Sequence, residues 1–505
     1  MGGVIGRVEK VSDTATLNIS FSENTGEVTA ERTSVAGICG VSLISNTIEN
    51  CTNSGTITGS GCVGGIMGNS AANVTACVNK GTIIGTAAYG ELKIGGIFGN
   101  ADGVFTITDS HNEGEIIGQP GTMDSSNQAN GNAGGVIGVA TKSFTMTNCY
   151  NTGNVTGRGN NCGGVIGRLS SGVEFTIQNC WNTGDVVSTL GENAGGIIGG
   201  AQGSPTPHIL NCYNTGKVEG NKNSAAIAGW LGNNNPAEVK NCWNIGQIVN
   251  GAGNNTMYRR GGTGTFTREN NYDLSGTVEE PTTATPPAGY TAEWLENGHF
   301  AYYINNVACK SIYRQNIGED KTPVLDDTKG IVYGIGAAGY GTLYNTETAL
   351  SVPAGVTAST AVIKGNWISL TEVSDAIPAA TPVVLQGAEG FYSFMATDEA
   401  GTVGENDLKG TAEPLAATGI QYVLAEKDGV AGFYQAAEGT KIPAGKAYIE
   451  KAAAGVKGFF FGDATGIAEV ETATEADAAI YDLSGRRVEK AQKGIYIVNG
   501  KKVMK

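Results

Sequence analysis

Ten cysteines, three histidines and a recurring Asn-Cys-aromatic-Asn signature are the groups in this 505-residue sequence whose types and spacing could carry chemistry. Six cysteines, Cys51, Cys77, Cys149, Cys180, Cys212 and Cys242, fall at one position of a repeating unit. Zinc sites draw thiolates from close pairs of the Cys-x-x-Cys kind, and the sequence has none. A cysteine nucleophile needs a base, yet His111, His208 and His299 have no convincing partner in sequence. Equivalent positions on stacked strands lie ~4.8 Å apart, whereas a disulfide brings Cβ atoms to ~3.8 Å. The six cysteines therefore read as a ladder of free thiols facing inward as small apolar side chains. No catalytic residue, metal ligand or cofactor is assigned.

The residues beside these thiols carry the one binding candidate. Tyr150, Trp181, Tyr213, Trp243 and Tyr272 follow the column position. Strand alternation turns them outward if the thiols face in. Such a stripe of rings either contacts a ligand, since aromatic faces stack on sugar rings, or serves only to hold the coils together. Earlier units carry Glu23, Thr52, Val78 and His111 there, which weakens the ligand reading. Asn151, Asn182, Asn214 and Asn244 come next. Asparagine tolerates left-handed turns and can hydrogen-bond along a stack, so these four read as a structural ladder.

The elements that must position these residues are short and periodic. A second motif, Gly-Gly-Ile/Val-x-Gly, starts at Gly2, Ala36, Gly64, Gly95, Gly134, Gly163, Gly195 and Ala225, with a worn copy near Gly261. The two motifs keep one beat. Each unit offers three β-type runs, such as Gly153–Gly157, Gly163–Gly167 and Phe175–Gln178. They are β-branched, bounded by turn residues and without helical spacing. A unit of this size cannot bury its apolar face alone, so neighbours must stack. The expected fold is all-β. Residues 1–276 form a parallel β-solenoid of about nine coils of ~30 residues, right-handed because parallel crossovers nearly always are. The longest insertion, Gln119 to Asn132, belongs on the surface.

Charge and composition narrow the function. The net charge is −15 with only 32 Lys and Arg, which offers no basic stripe for nucleic acid. No apolar run reaches the ~18 residues of a transmembrane segment. Acids in the repeats are scattered: Asp185 is matched by Asn154 and Lys217, and Glu219 by Thr156 and Val187. The chain opens inside a repeat motif with no export signal, so its natural N-terminus is expected to lie upstream.

The repeated Gly-Gly-Val-Ile-Gly and Asn-Cys-Tyr-Asn units resemble the GLUG-type repeats of bacterial adhesin-like proteins, over roughly the first 276 residues. After Pro281, Pro286 and Pro287, residues 277–329 read as a linker and capping segment similar to one in Bacteroidetes-type surface proteins. A cap is also expected physically, because a solenoid end exposes unpaired edges. Residues 330–465, with short strands and turns every ~8–12 positions, read as a β-sandwich-like module. Residues 466–505 carry Asp482-Leu483-Ser484-Gly485-Arg486, then Lys493-Gly494-Ile495-Tyr496 and a basic tail. They resemble the type A sorting domain of the type IX secretion system. Asn499-Gly500 reads as a hairpin turn within it.

The resemblance implies an extracellular or outer-surface, non-catalytic adhesin-like protein. Its solenoid would be a rigid display or binding stalk. Its partners would be a glycan or a host or bacterial surface protein, and the secretion machinery through the C-terminal domain. The alternative is a carbohydrate-binding or carbohydrate-active β-helix, a glycan lyase or hydrolase.

Overall fold

The structure is a computed structural model. It describes the chain apart from residues 11, 13–14, 32–33, 87–90, 120–130, 171–173, 204, 233–235, 251–254, 262, 279–284, 453–455, 462–479, 483–486, 489–494, 499–500 and 505, and gives the strands between 480 and 504 by their pairing alone. The insertion after Gln119, the Asn499-Gly500 turn and most of the sorting-domain motif lie outside the described residues.

The first half is a parallel β-solenoid. Two of its sheets have nine strands and a third has eight, so the chain makes about eight full turns. One coil shows how sequence becomes shape. Ile137–Ala140, Phe144–Thr147, Tyr150–Asn151, Val155–Gly157 and Asn161–Gly163 each pair in register with the coil that follows. The coil thus has five strand segments, where three runs are expected. The aromatic-Asn pair is a strand of its own, and the Gly-Gly motif marks a bend between two strands.

Close packing explains both departures. A Cβ on Gly164 would lie 2.3 Å from Cγ of Asn182 and 2.1 Å from the Gly196 carbonyl oxygen. The second glycine of one motif is therefore the surface on which the asparagine of the other rests, and the two motifs must share one period. Where Ala225-Ala226 replaces the glycine pair, Asn223–Leu231 is one uninterrupted nine-residue strand that pairs with both Asn193–Gly195 and Ile198–Ala201, and its pairing with Thr256–Arg260 slips register. This last strand ends just before the worn motif copy at Gly261.

Inside, like side chains form columns. Phe105, Phe144 and Phe175 follow one another at 5.1 and 5.2 Å between ring centroids. Ile66, Ile97, Val136, Val165 and Ile197 are all fully buried. Full burial stabilises by roughly 1.5–3 kcal/mol per such side chain, and in a solenoid only stacking supplies it.

Polar ladders run beside these columns, and each is one-directional. Asn24, Asn53, Asn79, Asn112, Asn151, Asn182, Asn214 and Asn244 each donate Nδ2 to the next coil at 2.7–2.8 Å, the last to Asp273 Oδ1. A second ladder runs the other way, from Asn270 through Asn241, Asn211, Asn179 and Asn148 to Asp109. A third runs from Asn223 through Asn193, Asn161 and Asn132 to Glu91. All three end on a carboxylate, which can only accept.

After the solenoid come α1 (Glu293–Glu296) and α2 (His299–Ala308). A β-rich region follows. Nine strands between Tyr340 and Phe461 form one sheet, mostly antiparallel, with Trp367–Glu372 and Gly458–Phe461 its parallel pair. Its apolar residues gather in two main cores, one around Leu343 and Phe394, the other around Tyr422 and Phe459. At the end, Ile480–Asp482, Arg487–Val488, Ile495–Val498 and Lys501–Met504 form a four-stranded antiparallel sheet, with Val498 opposite Lys501. Among the described residues, no helix is long and apolar enough to cross a membrane.

Candidate functional site

The thiol column sits at a corner of the coil. The residue before each column position has positive φ: Asn148, Asn179, Asn211 and Asn241 lie at 53–55°. The left-handed asparagines are therefore these, not the ladder residues Asn151, Asn182, Asn214 and Asn244, which lie in strands and act through their side chains. The six column thiols are fully buried and free. Each sulfur donates to the carbonyl two residues earlier; Cys180 reaches Gln178 at 3.2 Å and Cys149 reaches Thr147 at 3.3 Å. Ser110, which fills the column between Cys77 and Cys149, does the same to Thr108 at 2.8 Å. The position asks for a small buried donor. Elsewhere in the interior, burial pushes the Cys39 thiol up to about 11 and Cys162 up to about 12. Among the described residues, no cluster of three His, Cys, Asp or Glu could hold a metal ion.

The aromatic column points away from the coil interior, but its exposure is not uniform. Tyr213 is 3% and Trp243 0% exposed, so the solvent-facing stripe expected across all five rings is corrected for these two. The cause is the segment after the solenoid. Phe300 and Ile304 of α2, with Tyr313, pack over Tyr213, Trp243 and Tyr272 as one apolar cluster. The Tyr313 hydroxyl donates to the Asn241 carbonyl at 2.7 Å. Capping here is lateral, over the outer side of the last coils.

The rings also lie on one another. His111–Tyr150, Tyr150–Trp181, Trp181–Tyr213 and Tyr213–Trp243 stack at 4.2, 4.3, 5.8 and 4.6 Å, each within 10° of parallel. Their faces are thus taken by neighbouring rings, and a ligand reaches only their edges. Face-on stacking of a sugar on this column, the basis of the binding expectation, has no free ring face between His111 and Trp243.

What remains open is a cleft of about 940 Å³ between the solenoid and the C-terminal region. The edges of His111, Tyr150 and Trp181 form one wall, beside amides of the outer asparagine ladder. The other wall brings Lys310, Arg314, Asp326, Asp327, Glu347 and Glu413. Several charges around the cleft are already held. Asp109 accepts from Asn148 at 3.0 Å, Asp326 from the Thr328 hydroxyl at 2.7 Å, and Glu347 from Arg314 at 2.9 Å. Burial, then the charges of Glu113 and Asp326, raises the Tyr150 phenol above its ordinary value and keeps it a donor. Burial lowers His111, so at neutral pH it is an uncharged ring beside Glu113. The cleft can bind polar groups through amides, a phenol and carboxylates. Sequence reasoning missed its second wall, because those residues come from the linker segment and the module that follow the solenoid, far in sequence from the residues they face.

The model of the GLUG motif matches residues 191–219. That stretch holds one coil's Gly-Gly motif and the Asn211-Cys212-Tyr213-Asn214 signature, so the matched motif is a piece of this solenoid. The chain is thus a β-helix that carries a GLUG motif. No curated protein and no solved structure matches it.

Proposed function

We propose that this GLUG-bearing β-helix is a non-catalytic adhesin-like protein, secreted and held at the outer surface of a bacterium of Bacteroidetes type. One observation carries the reading: the repeated polar side chains bond to the coil above or below. Three ladders, each closed by a carboxylate, commit the recurring polar chemistry of the repeats to a stiff rod. Such a rod presents a surface at a distance, and the polar cleft at its side is where a glycan or a surface protein would be held. The C-terminal residues 466–505 would route the chain through the type IX machinery. Their motifs and short antiparallel sheet support that role.

A second reading, a glycan lyase or hydrolase, is favoured by the five carboxylates of the cleft. Incubation with a panel of surface polysaccharides separates the two. The adhesin reading expects retention on a subset of glycans or proteins with no new reducing ends or unsaturated products. Product formation lost on Asp327→Asn or Glu413→Gln would establish the enzyme instead. Deletion of 466–505 in a type IX-competent host should leave the protein behind the outer membrane; unchanged surface display would refute the sorting role.

A further inference from the structure

A second cavity, unrelated to the cleft, lies where α2 packs on the β-rich region. It has a volume of about 530 Å³, within the range of ~300–1,000 Å³ of small-molecule sites. Its walls are mostly apolar. His299 and Tyr302 of α2, Phe391, Tyr340, Leu424 and Ile442 line it. The rings are fixed by stacking: His299 lies between Trp294 at 3.4 Å and Phe391 at 4.5 Å. Tyr340 is backed by Phe461 at 4.0 Å and 8°. Gly334, Gly336, Gly341 and Gly390 also line the space and leave it unfilled by side chains.

Of the charged residues that line this chamber, Glu389 and Lys441 are exposed and Lys446 is the half-buried one. The Lys446 ammonium is half-buried and donates to the Tyr302 hydroxyl at 2.9 Å. No carboxylate of a described residue pairs with it, whereas ten other cationic side chains among the described residues, two of them histidines, lie against a carboxylate. Burial pushes the Tyr302 phenol up, but the ammonium outweighs it and holds the phenol below its ordinary value. A part-buried charge without a counterion is costly, and an anion arriving with its own apolar body removes that cost. Ring edges and faces supply the apolar complement.

We propose that this cavity binds a small amphipathic anion, a flat apolar or aromatic body bearing one carboxylate or sulfonate, with the anionic group at Lys446 and Tyr302 and the body between Phe391 and Tyr340. The site is separate from the cleft and does not depend on the adhesin reading. Two dyes with like ring systems test it: 1-anilinonaphthalene-8-sulfonate, which is anionic, and N-phenyl-1-naphthylamine, which is neutral. Titration of the full chain should give one saturable sulfonate site, with hydrogen exchange slowed at Gly390–Phe394. Lys446→Met should weaken the sulfonate at least tenfold and leave the amine within twofold, while Lys446→Arg retains binding and exposed Lys364→Met changes nothing. Unaltered thermal melting separates these effects from misfolding. Sulfonate binding equal in wild type and Lys446→Met, exchange slowed elsewhere, or no saturable binding would each overturn the proposal.

Discussion

Replacing Asn182 by alanine tests the ladder physics at its most buried point. The side chain is fully buried, accepts from Asn151 Nδ2 at 2.7 Å, and donates to the Gly184 carbonyl at 2.7 Å and Asn214 Oδ1 at 2.8 Å. Asn182→Ala therefore orphans one N–H of Asn151, the Asn214 amide oxygen and the Gly184 oxygen together. Each buried unsatisfied group costs about 1–3 kcal/mol, so the loss should be at least about 3 kcal/mol. The control is Asn154→Ala. Its exposed side chain accepts only from the Asp185 backbone, and it should cost under about 0.5 kcal/mol. Asn182→Asp keeps the acceptor for Asn151 but aims a carboxylate at two acceptors. It should cost more than alanine at pH 7. Its pKa would be raised in the folded state, so stability should return as pH falls through that raised value and the carboxyl regains a donor. Aspartate serves at Asp273 because Ser275 donates to both of its oxygens. Urea unfolding followed by tryptophan fluorescence measures all three. An Asn182→Ala variant within about 0.5 kcal/mol of wild type would refute the idea that these amides hold the coils together.

Other outcomes follow from the same contacts. Trp243→Ala, which empties a fully buried site between Tyr213 and Phe300, should cost about 3–5 kcal/mol in thermal unfolding, and half-buried Trp181→Ala less than half of that. The nine buried cysteines should resist a thiol reagent at pH 8 in the native protein and all ten react after denaturation; rapid native labelling of Cys180 or Cys212 would contradict the column. Cys180→Ser should be tolerated within about 1 kcal/mol, as Ser110 already fills that role. Glu238 is held below the ordinary carboxylate range by Lys240 and then His208. Its contribution is present at neutral pH and is lost as pH falls through that depressed value. Lys240→Met should move its titration upward by NMR.

Much of the rod is legible in the residues themselves. The Cys149, Cys180, Cys212 and Cys242 spacing gives the column because identical neighbours at one coil rise can all be buried only if the coils superpose. The bend at Gly163-Gly164 is not legible, because it depends on Asn182 lying against the second glycine. The third ladder, through Asn132, Asn161, Asn193 and Asn223, stands two residues before each Gly-Gly motif position and so keeps its beat, but nothing in that spacing says that these strand residues bond to one another. The site is least legible. Strand alternation correctly turns Trp243 out of the coil, but burial depends on what docks there, and Phe300 and Tyr313 arrive from a segment with no repeat to align it. Nothing in the spacing of Tyr150 and Trp181 says that their rings lie face to face.

Distances between spin labels on the solenoid test the superposition of coils most directly. Asn18, Thr145 and Thr267 lie in one sheet, on coils linked by successive in-register pairings through Thr47, Thr106, Thr176, His208 and Glu238. With one rise of ~4.8 Å per coil, labels at 18 and 145 should lie about 19 Å apart and labels at 18 and 267 about 38 Å apart. Nine of the ten native thiols are buried, so with the part-exposed Cys62 replaced by serine the introduced cysteines can be labelled selectively. Distances that double in this way support the stack. A Thr267 label no farther from Asn18 than the Thr145 label, or a broad distribution for both, would contradict it.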